Sequence, residues 1–332
     1  MPSAITPPAP AACHHTGWGV LRVAGADAAA FLHGQLSSDV QGLDAGCGQY
    51  WSYNSPKGRM LANGVLWRAP AGQGDGAITL LVAADLAETL RRRLGMFVLR
   101  SKVTIEDASA STMLIGVAGD GSAEATREAL GVSPPPGGTA MFGAAGTAFT
   151  LPDRRIAIVA PHADGRVLQA ALARHTSAVG NAEWRRFGIA AGVAWIGAAT
   201  SDLFVPQMVN WDLLGGVSFR KGCYPGQEIV ARMQYLGRLK ERLFAFHADA
   251  LEAPPATRLF SATFGAGQSC GTVVDAAPDA AGGIALLAVA QLAAVAADDL
   301  TLGAPGGPPL MRRALPYAVP TEPAGAARPA PA

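Results

Sequence analysis

The chain has 332 residues, enough for two or three domains. Half of its residues are hydrophobic and 15% are charged, so there is ample material for a core. A formal net charge of +1 gives no support for a nucleic-acid or membrane surface built on bulk charge. No apolar run reaches the roughly 18 residues of a membrane-spanning helix. Met1 to Ala12 is rich in Pro and Ala and lacks the basic start and apolar run of a secretory signal, which points to a cytoplasmic protein. The cysteines, Cys13, Cys47, Cys223 and Cys270, include no Cys-x-x-Cys pair, so no metal or cluster-binding motif is expected.

In chain order, residues 1–15 are expected to be disordered. Trp18 to Val23 reads as a strand. Asp27 reads as the N-cap of a helix carrying Phe31, Leu32 and Leu36, with Ser37, Ser38 and Asp39 suited to ending it. Gln49 to Asn54 and Met60 to Arg68 read as two strands joined by the turn Ser55-Pro56-Lys57-Gly58-Arg59. Ala77 to Ala83 is a strand, and Asp85 to Leu94 an amphipathic helix with Leu86, Leu90 and Leu94 four residues apart. Thr112 to Val117 and Arg155 to Ala160 follow as strands. Ala123 to Leu130, Gly165 to His175 and Glu183 to Ala191 read as helices. Strand–helix units mixed with hairpins predict α+β layers. No Gly-x-Gly-x-x-Gly or Walker-type loop follows a strand, which argues against a dinucleotide or nucleoside triphosphate site.

The loop over 200–216 holds Pro206, Gln207, Asn210 and Trp211. Amides and aromatics together suit a flat heteroaromatic ligand, or they form an ordinary connection. From Leu243 the texture changes to short alternating runs between Gly/Pro/Asp turns, which predicts a small antiparallel β-barrel. Residues 317–332 are Pro/Ala-rich and expected to be disordered.

The densest run of polar and charged residues is 220–243. Pro225 suits a first helical position, where a missing N–H costs nothing. Glu228 falls in the first turn, where the helix dipole favours negative charge. Ile229, Val230 and Met233 share a face, and Gly237 reads as the stop. Cys223 then precedes a helix N-terminus and stands beside Arg220 and Lys221, and both features favour a thiolate. A lone cysteine is more often a small buried hydrophobe, so the residues alone leave reactivity and packing both open. Gly222 and Gly226 bracket the thiol, as a tight turn with close backbone approach requires.

Lys221-Gly222-Cys223-Tyr224-Pro225-Gly226-Gln227-Glu228, followed by Arg232, resembles the signature of the YgfZ family. These are folate-binding proteins implicated in the assembly and repair of iron–sulfur clusters. They are similar in fold to the T-protein of the glycine cleavage system, a tetrahydrofolate-dependent aminomethyltransferase. The resemblance covers roughly 16–316. It includes the Gly-Gln-Leu-x-x-Asp run holding Gln35 and Asp39, the Lys57-Gly58-Arg59 turn, and a strand segment from Phe97 to Glu106. It also includes the arginine-bearing helix entering Gly188, the Pro206-Gln207-x-x-Asn210 segment, and Gly271-Thr272-Val273-Val274.

The resemblance implies a three-lobed α+β fold around a central folate pocket. Residues 16–242 would form two intertwined ferredoxin-like domains, and 243–316 the C-terminal barrel. It implies tetrahydrofolate or another reduced folate as cofactor, held by Gln35, Asp39, Lys57, Arg59, Gln207 and Asn210. Cys223 would be a functional thiol, with iron–sulfur client enzymes or assembly factors as partners. T-protein's Arg-x-Gly-Tyr-x-Gly-Glu segment is absent, and Asp85 lacks the Asn-Ala lead-in of the T-protein aspartate. Folate-dependent aminomethyl or one-carbon transfer is therefore the alternative reading. A third is a thiol hydrolase pairing Cys223 with a histidine, although no hydrolase signature surrounds the thiol.

Overall fold

The computed structural model describes residues 9–14, 16–73, 75–143, 145–235, 239–265 and 267–320. The chain weaves between its first two sheets. Strand β1 (Ala11–Cys13) lies in the second of them, pairing antiparallel with one strand and parallel with another. These residues were expected to be disordered. They are ordered because Ala11, Ala12 and Cys13 are small enough to be fully enclosed between the two neighbours, each at most 2% exposed.

The first lobe follows. It comprises β2 (Trp18–Ala24), α1 (Ala28–Gln35), β3 (Gly48–Asn54), β4 (Met60–Arg68), β5 (Ile78–Ala83), α2 (Ala87–Gly95) and β6 (Thr104–Asp107). Its sheet has the order β3-β4-β5-β2-β6, all antiparallel. Asp27 stands at the start of α1 as expected, but its carboxylate accepts the Lys102 N–H at 2.8 Å instead of capping the helix. Leu86, Leu90 and Leu94 are buried, as their spacing predicts. The strand expected from Phe97 is shorter and starts at Thr104. Phe97 and Val98 donate to Leu94 and Gly95 in tight turns, and Leu99 takes a positive φ of 44°, so this stretch cannot extend.

The second lobe holds β7 (Thr112–Ala118), α3 (Ser122–Leu130), β8 (Thr139–Phe142), β9 (Gly146–Thr150), β10 (Ile156–Pro161), α4 (Gly165–Leu172), β11 (Ser177–Val179) and α5 (Asn181–Ala190). Its sheet order is β11-β1-β7-β10-β9-β8. Helix α6 (Gln227–Tyr235) then precedes the third sheet. That sheet contains β12 (Glu241–Ala248), β13 (Arg258–Ser261), β14 (Ser269–Pro278), β15 (Ile284–Gln291), β16 (Leu300–Leu302) and β17 (Leu310–Arg313), with α7 (Leu292–Ala297) after β15. The order is β16-β13-β14-β15-β12-β17, antiparallel throughout. A bridge between Thr301 and Pro309 draws its two edge strands together, so the sheet curls toward the expected barrel.

One apolar cluster ties the lobes. It runs from Trp51 and Trp67 through Phe149 and Trp211 to Val230, Leu243 and Val289. Trp67 stacks on Phe149 with ring centroids 5.0 Å apart, which joins the first lobe to the second. Tyr317 falls in the tail that composition predicts to be disordered. Instead its hydroxyl donates to the Gly192 carbonyl at 2.7 Å, which docks the end of the curled sheet onto the loop after α5. Residues 321–332 lie outside the described residues.

Candidate functional site

Three segments far apart in sequence meet at the cysteine motif. The ammonium of Lys221 donates to the carbonyls of His33 and Leu36, at the C-terminal end of α1. Those carbonyls lack intrahelical partners and carry the negative end of the helix dipole, so a cation satisfies both needs. The same ammonium stands 4.9 Å from the centroid of the Tyr224 ring, which is buried. Burial pulls the Lys221 pKa down to about 8, with the nearby Asp39 carboxylate opposing. His33 meets Asp39 across 3.1 Å.

The third segment is the turn at 55–59. Gly226 takes φ +76° and lies against it. A Cβ on Gly226 would sit 2.4 Å from the Ser55 carbonyl oxygen and 2.7 Å from the Gly58 Cα. Only glycine fits, on conformational and on steric grounds. The left-handed Gly226 also corrects the expected helix start. Pro225 is not the first helical residue; α6 begins at Gln227, with the Gly226 carbonyl accepting from Val230 N–H at 3.2 Å. Of the face shared by Ile229, Val230 and Met233, only Val230 is fully buried. Gly237, read as the stop, lies outside the described residues.

Cys223 is exposed, unlike the buried Cys13 and Cys270. Glu228 and Arg232 are also exposed on α6, and Gln227 is half-buried. Of the residues assigned to folate, Gln35 and Asp39 lie beside the cysteine loop, Lys57 is exposed on the docked turn, and Arg59 donates to the Leu203 carbonyl at 2.5 Å. Gln207 and Asn210 are buried struts. Gln207 Nε2 donates to Val230 O at 2.8 Å, and Asn210 Nδ2 to Leu243 O at 2.9 Å. Four buried polar groups around this junction have atoms without protein partners: Gln35 Oε1, Ser38 Oγ, Gln207 Oε1 and both amide atoms of Asn54. Among the described residues, no group of three or more His, Cys, Asp or Glu side chains is placed to hold a metal ion.

Chain order alone did not indicate a second feature, a cavity of about 320 Å³ where the three lobes meet. Trp18 comes from β2, Arg155 from the residue just before β10, Trp184 from α5 and Asp275 from β14; Asp85 and Trp195 also line it. Trp18 stacks on Trp195 at 4.1 Å. The Arg155 guanidinium lies over Trp18 and Trp184, at 5.4 and 4.7 Å. The indole N–H groups of Trp184 and Trp195 are buried without protein acceptors. Burial pushes the Asp275 carboxyl up, against the pull of Arg185, whose Nε donates to it at 3.0 Å. A larger hollow, about 470 Å³, lies under the loop after β4 but is lined mainly by Gly, Ala and Pro.

A solved structure shares this arrangement of three sheets. Aminomethyltransferase T of the glycine cleavage system from Bartonella henselae superposes with a TM-score of 0.70, covering 87% of this chain and 80% of that one at 16% identity. The chain thus has the T-protein fold, and it presents a cysteine loop docked on the first lobe. No family model matches. Curated relatives do: the tRNA-modifying protein YgfZ of Yersinia pestis (strain Pestoides F) is 32% identical over 241 residues, 72% of this chain and 71% of its own length. The protein of the same name from Klebsiella pneumoniae (strain 342) is 31% identical over 242 residues, 72% of each chain. The chain belongs to the YgfZ family.

Proposed function

We propose that this protein binds a reduced folate and acts as an accessory factor in the assembly or repair of iron–sulfur clusters in client enzymes, with Cys223 as its functional thiol. The observation that carries the folate part is the cavity between the lobes. Trp18 and Trp195 give it an aromatic wall, and the carboxylates of Asp85 and Asp275 are acceptors suited to the donor-rich edge of a flat pteridine. Bound there, the folate would supply one-carbon or redox chemistry. The chain's own residues orient the ring and exclude water from it.

The thiol part rests on exposure. A cysteine kept only for packing is buried, whereas Cys223 is held at the surface by Lys221 and Gly226. The relatives are named for tRNA modification. A near-neutral chain fits a part in that process through an iron–sulfur enzyme that acts on tRNA, without an RNA-binding surface of its own. One-carbon transfer is the second reading, favoured by Asp85 in the cavity wall, although Asp85 Oδ2 already accepts the Ala198 N–H at 2.9 Å.

Titration calorimetry with tetrahydrofolate tests the folate reading: wild type binds, and Trp195→Ala binds about tenfold more weakly or worse. Wild type that ignores reduced folates at millimolar concentration overturns it. Transfer of a labelled one-carbon unit to tetrahydrofolate would favour the second reading. Normal iron–sulfur enzyme activities in a deletion strain, including under oxidative stress, would overturn the client role.

A further inference from the structure

The turn after α2 belongs to the most basic stretch of a nearly neutral chain. Arg91, Arg92, Arg93, Arg100 and Lys102 fall close together, with no Asp or Glu among them. Glu88 engages Arg91 at 2.7 Å and Arg92 at 3.4 Å. Among the described residues no ion pair engages Arg93, Arg100 or Lys102, and all three are exposed. Between these charges stand Met96, Phe97 and Leu99, which are 64%, 46% and 87% exposed. Single exposed apolar residues are ordinary, but three together in a frame of cations form a patch.

The fold imposes this exposure. Val98 packs against the main apolar cluster and anchors the turn. Phe97 N–H donates to the Leu94 carbonyl at 3.0 Å, and Ser101 N–H to the Val98 carbonyl at 2.8 Å. Lys102 N–H is held by the Asp27 carboxylate at 2.8 Å. Leu99 is left with a φ of 44°, a costly conformation for a bulky side chain. Strain of this kind persists at binding sites, and a surface already fixed in shape loses little entropy on docking. The patch also borders the cysteine loop. The Arg93 guanidinium lies 5.9 Å from the centroid of the Tyr53 ring, Tyr53 bridges Leu36, and the Leu36 carbonyl accepts from Lys221.

We propose that this turn is a docking surface for an acidic protein. An apolar socket of that partner takes Met96, Phe97 and Leu99, and carboxylates on its rim pair with Arg93, Arg100 and Lys102. Charge and composition select this occupant. A second copy of the chain is disfavoured, because twofold pairing would set arginines against arginines. The chain's own end is not acidic, since Glu322 is balanced by Arg328. RNA would pair with the guanidinium groups but leave the aliphatic Met96 and Leu99 uncovered, because bases seek aromatic platforms. A lipid-surface element carries its apolar residues along one face of a helix, whereas these sit in a tight turn. Met, Phe and Arg are the residues enriched in protein interfaces, and Arg outnumbers Lys here. The inference deepens the accessory-factor reading by naming the partner's chemistry; it rests on that reading for the partner's being a client enzyme or assembly factor.

The test is photocrosslinking in the deletion strain. The full chain carries p-benzoylphenylalanine at Leu99 or, as control, at Leu251, a lone leucine that is 98% exposed. A protein adduct of acidic isoelectric point is expected, about tenfold stronger at Leu99 than at Leu251. Adding Arg100→Glu and Lys102→Glu should weaken it about tenfold. The purified partner should bind wild type and lose about tenfold in affinity to a Met96→Ser/Leu99→Ser chain of unchanged melting temperature. No adduct above the control overturns the docking surface. So does an adduct removed by nuclease, one with the mass of two copies of this chain, a lipid adduct, or one indifferent to charge reversal. If the charge-reversed chain fails to fold, the wild-type complex carries the charge test: raising salt to about 0.5 M should weaken it, and a salt-insensitive complex overturns the proposal. None of these readouts uses folate or a cluster. A partner unconnected with iron–sulfur enzymes would overturn the accessory-factor reading and leave the docking surface standing.

Discussion

Lys221 and His33, separated by 188 positions, are joined by a hydrogen bond from the lysine ammonium to the histidine carbonyl. This contact turns two sequence motifs into one site. The carbonyls of His33 and Leu36 favour the charged lysine, while burial disfavours it and draws its pKa down to about 8.

Lys221→Met should therefore loosen the cysteine loop without unfolding the chain. Charge-assisted hydrogen bonds are worth about 1.5–3 kcal/mol, and the partial exposure of this group reduces that to about 1 kcal/mol. The pH dependence has a defined sign. Between about 8 and the unperturbed 10.5 the unfolded chain binds more protons at this residue. Its contribution to stability thus rises with pH across that window and is lost as pH falls through 8. Urea denaturation of wild type and Lys221→Met, compared at pH 7 and pH 10, measures both effects. A difference that does not change between the two pH values would contradict the assigned shift.

Gly226→Ala should be far more damaging than an ordinary glycine substitution. The left-handed φ of +76° costs an alanine about 1–3 kcal/mol. The new Cβ would also meet the Ser55 carbonyl oxygen at 2.4 Å, a backbone atom that cannot swing aside. A loss of at least about 2 kcal/mol in chemical denaturation is expected, with faster proteolysis in the stretch joining Gly216 to α6. Gly131→Ala, at a similar φ but with no neighbour near its Cβ, is the control and should lose less.

The strands of the first lobe, the helix with Leu86, Leu90 and Leu94, and the curled sheet after Leu243 were legible in the sequence, because period and burial agree there. The strand expected from Phe97 was not, since local turn bonds and a positive φ at Leu99 override an apolar run. β1 could not be read because Ala and Cys carry no pattern; its neighbours in the sheet create its burial. At the site, the cysteine motif announced itself through charge and glycines. Its docking onto α1 was hidden, since no local rule links Lys221 to a carbonyl 188 positions away. The cavity residues Trp18, Arg155 and Trp195 lie on three different segments, and only the tertiary fold brings them together. The unusual number of aromatic and arginine residues near 184–186 was the one available hint.

Gln207 and Asn210 separate two ideas about the loop before the cysteine motif. Both amides bond buried backbone carbonyls, and Arg242 braces the loop by donating to Gln207 O at 2.9 Å and to Asp212 Oδ1 at 2.7 Å. The Arg242–Asp212 pair is 10% and 6% exposed. Asp212→Ala leaves a buried guanidinium uncompensated and should cost about 3–5 kcal/mol. Asn210→Ala should cost about 1–3 kcal/mol, with tetrahydrofolate affinity unchanged when measured well below the melting temperature. A stable Asn210→Ala protein that binds folate at least tenfold more weakly would instead make this residue a ligand contact.

Cys223→Ser distinguishes a thiol kept for chemistry from one kept for packing. A buried cysteine replaced by a hydroxyl without a partner loses about 1–3 kcal/mol. Cys223 is exposed, so the serine stays solvated and the melting temperature should match wild type to within a degree or two. The cavity between the lobes contains no cysteine, so tetrahydrofolate affinity should not change. Restoration of iron–sulfur enzyme activity in a deletion strain should fail all the same. Glu228→Ala, which removes a negative charge from the first turn of α6 and keeps the thiol, should give a milder defect. Cys270→Ser is the contrast: that thiol is 1% exposed, so the substitution should lower stability while the surviving folded protein still restores activity. Full restoration by a stable Cys223→Ser protein would reduce the motif to a structural turn held by Lys221 and Gly226.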